Sequence, residues 1–543
     1  MRARPGKTAI YEQFAADGIT YMFGNPGTVE QGFIDEAGRS PLSYLLTLHE
    51  GVAVGMADGY ARATQRPGLV QLHTGVGLGN GIGMLYQAKR GGSPLVVLAG
   101  EAGIRYDAMD GQMAADLVAM AEPVTKYATR VLDPASTLRV LRRAVKIAMT
   151  PPRGPVLVVL PADVLDQITT EPAVPTSLPD TRVAPAPDAV ESAARTLLAG
   201  RRPLVLIGDG VAVSGAQREL TAVAERLRAP VWGVNSSEVN FDTTHPLYGG
   251  QLGHMFGADS ARVVAEADAV LIVGTYVFPE VFPSLDSPFR ADARIVHIDL
   301  DAYEIAKNFP VDLGLVADPK LALGALADAL GRQRPGYSPP LAGDGSRAAG
   351  GGDDRGDDGG HGSVLDLFVR TLAERAPADL AVFDEALTAS GPLARYLPPR
   401  APGRFFQTRG GSLGVGIPGA LGVKLARPEL PVVGFTGDGG SMYTFQALWT
   451  AARYGIGAKF VICNNHRYRL LDLNIEQYWS SLGIAPHAAP DAFDLSRPEI
   501  RFTELAGALG VPGRRVERPE QVADAVEAMF AHDGPYLIDL ATD

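Results

Sequence analysis

Cysteine is almost absent from this chain: among 543 residues, Cys463 stands alone. A lone thiol has no partner within the chain, which excludes an intramolecular disulfide framework and makes a reducing cytoplasm the expected compartment. Long apolar runs are missing too. None approaches the roughly 20 residues that a bilayer-spanning helix needs, and the opening from Met1 to Lys7 lacks the apolar core of a signal peptide. Basic charge is in deficit, with 49 Lys and Arg against 61 Asp and Glu and a net charge of −12. That balance argues against nucleic acid or an anionic membrane as a partner. What remains, 46% hydrophobic and 20% charged, is ordinary for a globular α/β protein. The length exceeds what one core supports, so two or three domains are expected.

Short Val, Leu and Ile runs alternate with helical segments, the pattern of parallel sheets covered on both faces. In a first domain (residues 1–170) strands are expected at Ile19–Phe23, Leu69–His73, Leu95–Ala99 and Val156–Leu160. A Pro-rich stretch, Glu171 to Pro187, leads to a central domain (188–335) with strands at Leu204–Ile207, Val231–Val234, Val270–Val273 and Ile295–Ile298. From Gly336 to Ser363 glycine and aspartate dominate and bulky apolar residues are nearly gone, the composition of a flexible linker. Its aspartates (Asp344, Asp353, Asp354, Asp357 and Asp358) read as solvated charge rather than as a metal site. A third domain (364–543) follows, with strands near Leu380–Phe383, Val432–Phe435, Lys459–Cys463 and Tyr536–Ile538. The expected fold class is α/β, three doubly wound parallel-sheet domains.

The sharpest local signal lies in the third domain. PVVGFTGDGGSMYTFQALWTAARYG reads as a buried strand, a glycine turn and a helix from about Met442 to Tyr454, closed by Gly455. A second strand then delivers Asn464-Asn465. The 24 residues between Gly439 and Asn464 amount to one helix plus one strand. In a βαβ unit this returns the chain to the same sheet edge, so Asp438 and Asn465 can address one spot beyond the strand ends. Hard oxygen donors of this kind suit Mg²⁺, with phosphate oxygens and water completing the octahedron. Gly437, Gly439 and Gly440 clear side chains from backbone N–H groups that can meet phosphates. Gly-Asp-Gly alone is weak evidence. Gly208-Asp209-Gly210 also follows a strand, but the chain there offers no Asn-Asn pair, and Gly343-Asp344-Gly345 falls in the glycine-rich stretch. Both read as turns.

With GDGGSMYTFQALWTAARYG and FVICNN joined to YMFGNPGTVE, TLHEGVAVGMADGYAR and LVQLHTGVGLGNGIGMLYQAKRGGSPLVVLAG, the chain resembles the thiamine-diphosphate-dependent decarboxylase and acetohydroxyacid synthase superfamily. Its N-terminal segments are most similar to the benzoylformate decarboxylases. RRPLVLIGDGV, ARIVHIDLDAYEIAKN and RGGSLGVGIPGALGVKLA extend the likeness over nearly the whole length. The resemblance implies thiamine diphosphate and Mg²⁺ as cofactors. It assigns Glu50 to the cofactor's pyrimidine, and Asp438, Asn465 and the backbone carbonyl of Arg467 to the metal. Thr388, Gly439, Gly440, Ser441 and Tyr468 fall to cofactor binding. Leu413 becomes the wedge that bends the cofactor, and the Gly411 carbonyl an acceptor for its amino group. The family builds its site from two subunits, which implies a homodimer or homotetramer with active sites at the subunit interface. Its central domain sometimes holds FAD or ADP; a bare structural domain is expected here.

The chemistry explains the residue types. The carbon acid of the cofactor is weak, and a carboxylate that shares a proton with the pyrimidine prepares a base beside it. Glu50 precedes Gly51, Val52, Ala53 and Val54, an apolar setting that would favour the neutral acid. His73, at a strand end, matches a histidine used for proton transfer, and Thr28 stands where the family has a serine on the substrate carboxylate. The family's second histidine aligns with Val281; Glu280 and His254 are the nearby candidates to replace it. Leu387, Leu470 and Asn474 also depart from the benzoylformate pocket, which leaves the substrate side chain open. The expected function is decarboxylation of a small-molecule 2-oxo acid through an enamine. An acetohydroxyacid-synthase-type carboligase is the alternative, and a catalytically retired homologue the third reading.

Overall fold

The computed structural model describes residues 3–253, 255, 257–334 and 363–542. The linker reading of 336–363 therefore lies outside the described residues except for Ser363, whose side chain caps the helix Val364–Arg375 by accepting from the Asp366 amide. His254 also lies outside them. The chain divides into two compact units, Met1–Pro179 with Gly359–Leu397 and Thr408–Asp543, and Asp180–Asp358 with Pro398–Gln407.

All twelve runs read as strands in the sequence are strands, and each is buried along most of its length. In the first unit, β1 (Tyr21–Gly24), β2 (Ser43–Leu46), β3 (Gly68–His73), β4 (Leu95–Glu101), β5 (Tyr127–Arg130) and β6 (Val156–Pro161) form one parallel sheet in the spatial order 2-1-3-4-6-5. In the second unit, β7 (Pro203–Ile207), β8 (Val231–Gly233), β9 (Tyr248–Gln251), β10 (Ala269–Val273), β11 (Arg294–Asp299) and β12 (Leu313–Val316) run in the order 9-8-7-10-11-12. Back in the first unit, β13 (Ala381–Glu385), β14 (Val432–Gly437), β15 (Lys459–Asn464), β16 (Gly513–Val516) and β17 (Tyr536–Ala541) lie in the order 13-14-15-17-16. The interior strands are buried on both faces, which is why they read as unbroken apolar runs.

Two helices join the two sheets of the first unit. Helix α1 (Glu50–Thr64) follows β2, α2 (Thr74–Gly91) follows β3, and α3 (Gly416–Ala426) precedes β14. Helices α1 and α3 pack at backbone distance. A Cβ on Gly55 would sit 2.8 Å from the Pro418 ring, one on Gly59 would strike the Gly419 carbonyl, and one on Gly422 would strike that of Met56. Small residues on both faces permit this approach, and it sets how the two sheets stand against each other.

Beyond β14 the expected helix Met442–Tyr454 is two. Helix α4 (Asp438–Ser441) begins at Asp438 itself, and α5 (Ala447–Tyr454) begins five residues later than expected. Between them the bonds are of the i→i+3 kind, Tyr443 to Gly440, Thr444 to Ser441 and Ala447 to Thr444. The Thr444 hydroxyl donates to the Gly414 carbonyl at 2.5 Å, an outside partner that tightens this turn.

Candidate active site

Two clusters form at carboxyl ends of strands in the first unit. The first surrounds Glu50, the opening residue of α1, only 5% exposed. The helix behind it is apolar and buried, but the carboxylate oxygens themselves meet amides: Asn25 donates to Oε1 at 3.3 Å and Asn80 to Oε2 at 3.1 Å. Asn25 comes from the turn after β1 and Asn80 from α2, so two elements hold the acid from opposite sides. His49 caps α1, its Nδ1 accepting from the Gly51 amide at 3.0 Å.

His73 ends β3 and lies beside Glu50. A Cβ added at Gly77 would be 2.9 Å from Glu50 Oε1 and 3.2 Å from His73 Cβ, so the absent side chain leaves the space between them clear. The imidazole Nδ1 is 2.8 Å from Glu30 Oε2, which also accepts from the Gly27 amide at 3.1 Å. Glu30 is 2% exposed, and its Oε1 is buried without a partner. Burial pushes this carboxyl above its ordinary range, and the bond to His73 opposes that rise. Thr74, next in the chain, holds φ 46°, a left-handed conformation that costs a β-branched residue strain. Thr28 is exposed on the turn between Gly27 and Glu30.

The second cluster is built on the other sheet. Asp438 follows β14 and is 4% exposed. Its Oδ1 accepts from the Gly439 amide at 2.8 Å, whereas Oδ2 is buried and partnerless. Burial raises this carboxyl; the amides of His466 and Arg467 lie near enough to oppose the rise but do not donate to Oδ2 with hydrogen-bond geometry. The loop after β15 therefore meets the turn after β14. Asn465 Oδ1 accepts from the Arg467 amide at 3.1 Å, and His466 between them is left-handed at φ 58°. The Arg467 guanidinium is committed to Asp472 through bonds of 2.8 and 2.9 Å. Tyr468 packs so closely on Gly439 that a Cβ there would strike its ring. Gly440 and Ser441 are buried, and Ser441 Oγ donates to the Asp438 carbonyl at 2.7 Å. Among the described residues no group of three or more His, Cys, Asp or Glu side chains is placed to hold a metal. The donors gathered here are a carboxylate, a carboxamide and backbone.

The second unit supplies a comparison. Asp209, in the other strand-terminal Gly-Asp-Gly, has both oxygens engaged by the amides of Ser237 and Glu238, the Ser237 hydroxyl and the Asn240 amide group. That motif closes a loop. In the same unit Val281 is exposed, and Glu280 is buried with Oε1 partnerless and its carboxyl pushed up by burial.

The remaining expected positions lie on two loops. Thr388 is exposed on a short turn after β13, preceded by Leu387 at φ 51°. Gly411 is exposed at φ 80° and Leu413 half-buried, within a run where Gly410 and Gly414 are also left-handed at φ 91° and 94°. Four polar residues escaped the sequence reading: Asn25, Glu30, Asn80 and Glu385. Each is defined by a partner distant in the chain. The available hint for Asn25, Glu30 and Glu385 was an acid or amide near a turn at a strand end; Asn80, inside α2, offered none.

A fold of three parallel sheets with acid, amide and glycine turns at their carboxyl ends defines a class of cofactor-dependent α/β enzymes. Comparison with known proteins gives the family. Residues 4–120, 190–326 and 388–540 match the N-terminal TPP binding, central and C-terminal TPP binding domains of thiamine pyrophosphate enzymes. The chain is 32% identical to benzoylformate decarboxylase of Pseudomonas aeruginosa, with 98% of each chain covered. It is 28% identical to the acetolactate synthase isozyme 2 large subunit of Escherichia coli, covering 99% of this chain and 95% of that one. A solved thiamine diphosphate-dependent 4-hydroxybenzoylformate decarboxylase of Rhodococcus jostii superposes with a TM-score of 0.88 at 28% identity, with 99% of both chains covered. The chain belongs to the thiamine pyrophosphate enzyme family and is a thiamine-diphosphate-dependent enzyme of its decarboxylase and carboligase group.

Proposed function

We propose that the enzyme decarboxylates a 2-oxo acid without oxidation, releasing an aldehyde, with its cofactor anchored through Mg²⁺. The observation that supports this reading is the Glu30–His73 pair beside Glu50, an imidazole partnered by a buried carboxyl next to the acid assigned to the pyrimidine. When bound, thiamine diphosphate supplies the carbon nucleophile that adds to the keto group and holds the electrons left when CO₂ departs. Glu50 serves as the proton-sharing partner of the pyrimidine, oriented by Asn25 and Asn80. His73, oriented by Glu30, moves the proton at the substrate carbon, and the Thr28 hydroxyl meets the substrate carboxylate.

Mg²⁺ fits the second cluster because Asp438 Oδ2 is a buried anionic oxygen with no protein partner. Asp438, Asn465 and the Arg467 carbonyl would hold the metal, a hard-oxygen set. Buried backbone at Gly439, Gly440 and Ser441, with Thr388 and Tyr468, would take the diphosphate end. Leu413 and the Gly411 carbonyl would shape the pyrimidine end. The domain limits 1–170, 188–335 and 364–543, and a homodimer or homotetramer joining Glu50 of one subunit to Asp438 of another, belong to the same reading.

A carboligase is the second reading, favoured by the comparable identity to acetolactate synthase. Incubating the holoenzyme with a panel of 2-oxo acids, with and without aldehyde acceptors, separates the two by mass spectrometry. Aldehyde and CO₂ as main products support the proposal. A dominant acyloin or acetohydroxy acid replaces it with the second reading.

A further inference from the structure

Glu385 closes β13 with its side chain 1% exposed. Its carboxylate faces four donors. Oε1 accepts from the amides of Gly414 at 2.5 Å and Val415 at 3.2 Å; Oε2 accepts from the Gly416 amide at 2.6 Å and the Thr436 hydroxyl at 3.1 Å. Three of these are successive backbone N–H groups where α3 begins, the place where a helix presents unpaired donors and the positive end of its dipole. A Cβ on Gly416 would lie 2.7 Å from Oε2, so the glycine is what admits the acid. Thr436 stands two residues before Asp438 on β14, and a Cβ on Gly440 would lie 3.3 Å from the Thr436 hydroxyl. The chain just before Gly414 is the left-handed run bearing Gly411 and Leu413. One buried carboxylate thus ties the loop assigned to the pyrimidine end to the strand that carries the metal turn.

We infer that Glu385 is a positioning residue that sets the Gly411–Leu413 loop against the Asp438 turn, and so fixes the shape in which the cofactor is held. The inference rests on the cofactor assignments of the proposed function. Glu385 touches no reacting atom; it acts through the loop. Burial raises its carboxyl and the four donors oppose the rise, leaving it at about 7, so what favours the ionised form is those bonds.

The test compares wild type with Glu385→Gln and Thr436→Val. In Glu385→Gln an amide N–H must face the Gly416 N–H or the pair at Gly414 and Val415, leaving buried donors unpaired. Hydrogen exchange of the cofactor-free protein, read on peptides covering 409–416, should accelerate about 10-fold or more, with peptides of β4 unchanged. Calorimetry with saturating Mg²⁺ should find thiamine diphosphate bound about 10- to 100-fold more weakly, while Mg²⁺ with inorganic pyrophosphate binds within about 3-fold of wild type. Thr436→Val, which removes one donor and keeps the shape, should move both readouts in the same direction by a smaller factor. It carries the test if the glutamine variant does not fold. Equal weakening of thiamine diphosphate and pyrophosphate, or unchanged exchange at 409–416, overturns the inference. A wild type that binds no thiamine diphosphate sinks the functional reading instead, and the exchange result on the free chain still decides whether Glu385 holds the loop.

Discussion

Asp209→Asn and Asp438→Asn change the same atom in the same Gly-Asp-Gly sequence, and the structure assigns them opposite consequences. Asp209 has every oxygen engaged by loop donors, so the amide forfeits a charge-assisted bond and turns an N–H against the Ser237 donors. A lost charged hydrogen bond at ~1.5–3 kcal/mol and an unpaired buried donor at ~1–3 kcal/mol sum to about 2.5–6 kcal/mol of destabilisation. Asp438 Oδ2 has no hydrogen bond to lose in the cofactor-free chain, only the weaker pull of the nearby His466 and Arg467 amides. The amide exchanges an orphaned, desolvated charge for an orphaned neutral group, and stability should stay within about 1 kcal/mol of wild type or rise. The order inverts on adding Mg²⁺ and thiamine diphosphate. At 100 times the dissociation constant, wild type and Asp209→Asn should each gain ~2.7 kcal/mol by mass action, and Asp438→Asn close to nothing. Thermal melting with and without cofactor, followed by a fluorescent dye, reads both halves. An Asp438→Asn protein that melts as early as Asp209→Asn, or that still gains stability from Mg²⁺ and thiamine diphosphate, refutes the reasoning.

Glu50→Gln should fold, since one of Asn25 and Asn80 can turn its carbonyl toward the new NH2 while the other still donates to its oxygen, yet lose about 10²- to 10⁴-fold in turnover, the contribution of a positioned acid–base group; steady-state kinetics on the accepted 2-oxo acid checks it. Gly422→Ala should cost about 1–3 kcal/mol by forcing α3 away from the Met56 carbonyl, measured by denaturant unfolding. Gly507→Ala, where a Cβ meets nothing within 4 Å, should gain about 0.5–1 kcal/mol in the same measurement. Asp299, in the second unit, has its carboxyl pushed up by burial from 3.8 to about 6. A raised carboxyl stabilises the fold while protonated, so its contribution is complete below pH 3.8 and vanishes as pH rises through 6. Asp299→Asn should therefore match wild type near pH 3.8 and exceed it at pH 7 by at most about 3 kcal/mol, a gap that pH-dependent unfolding will reveal.

What the sequence showed by itself follows where burial is uniform. The interior strands of each sheet are covered on both faces, so they read as continuous Val, Leu and Ile, and every one of them was visible. Among the strands that escaped, β2, β5, β9, β12 and β16 are edges with half-exposed, mixed faces, which local composition does not distinguish from loops. The break between α4 and α5 was invisible because its cause, the bond from Thr444 to Gly414, crosses 30 residues.

The site divides along the same line. The turn at Asp438 and the loop after Asn465 could be expected together from the sequence because a single βαβ connection joins their strands, and the structure sets the amides of His466 and Arg467 near Asp438. Glu30 with His73, Asn25 and Asn80 with Glu50, and Glu385 with Gly414–Gly416 are joined across 25 to 43 residues. No local rule links such partners. Two identical Gly-Asp-Gly turns make the boundary plain. Sequence placed both after strands, but only the tertiary structure decided which carboxylate is saturated by its own chain and which keeps a buried oxygen in reserve, because hydrogen-bond partners are chosen by folding in space and not by order along the chain.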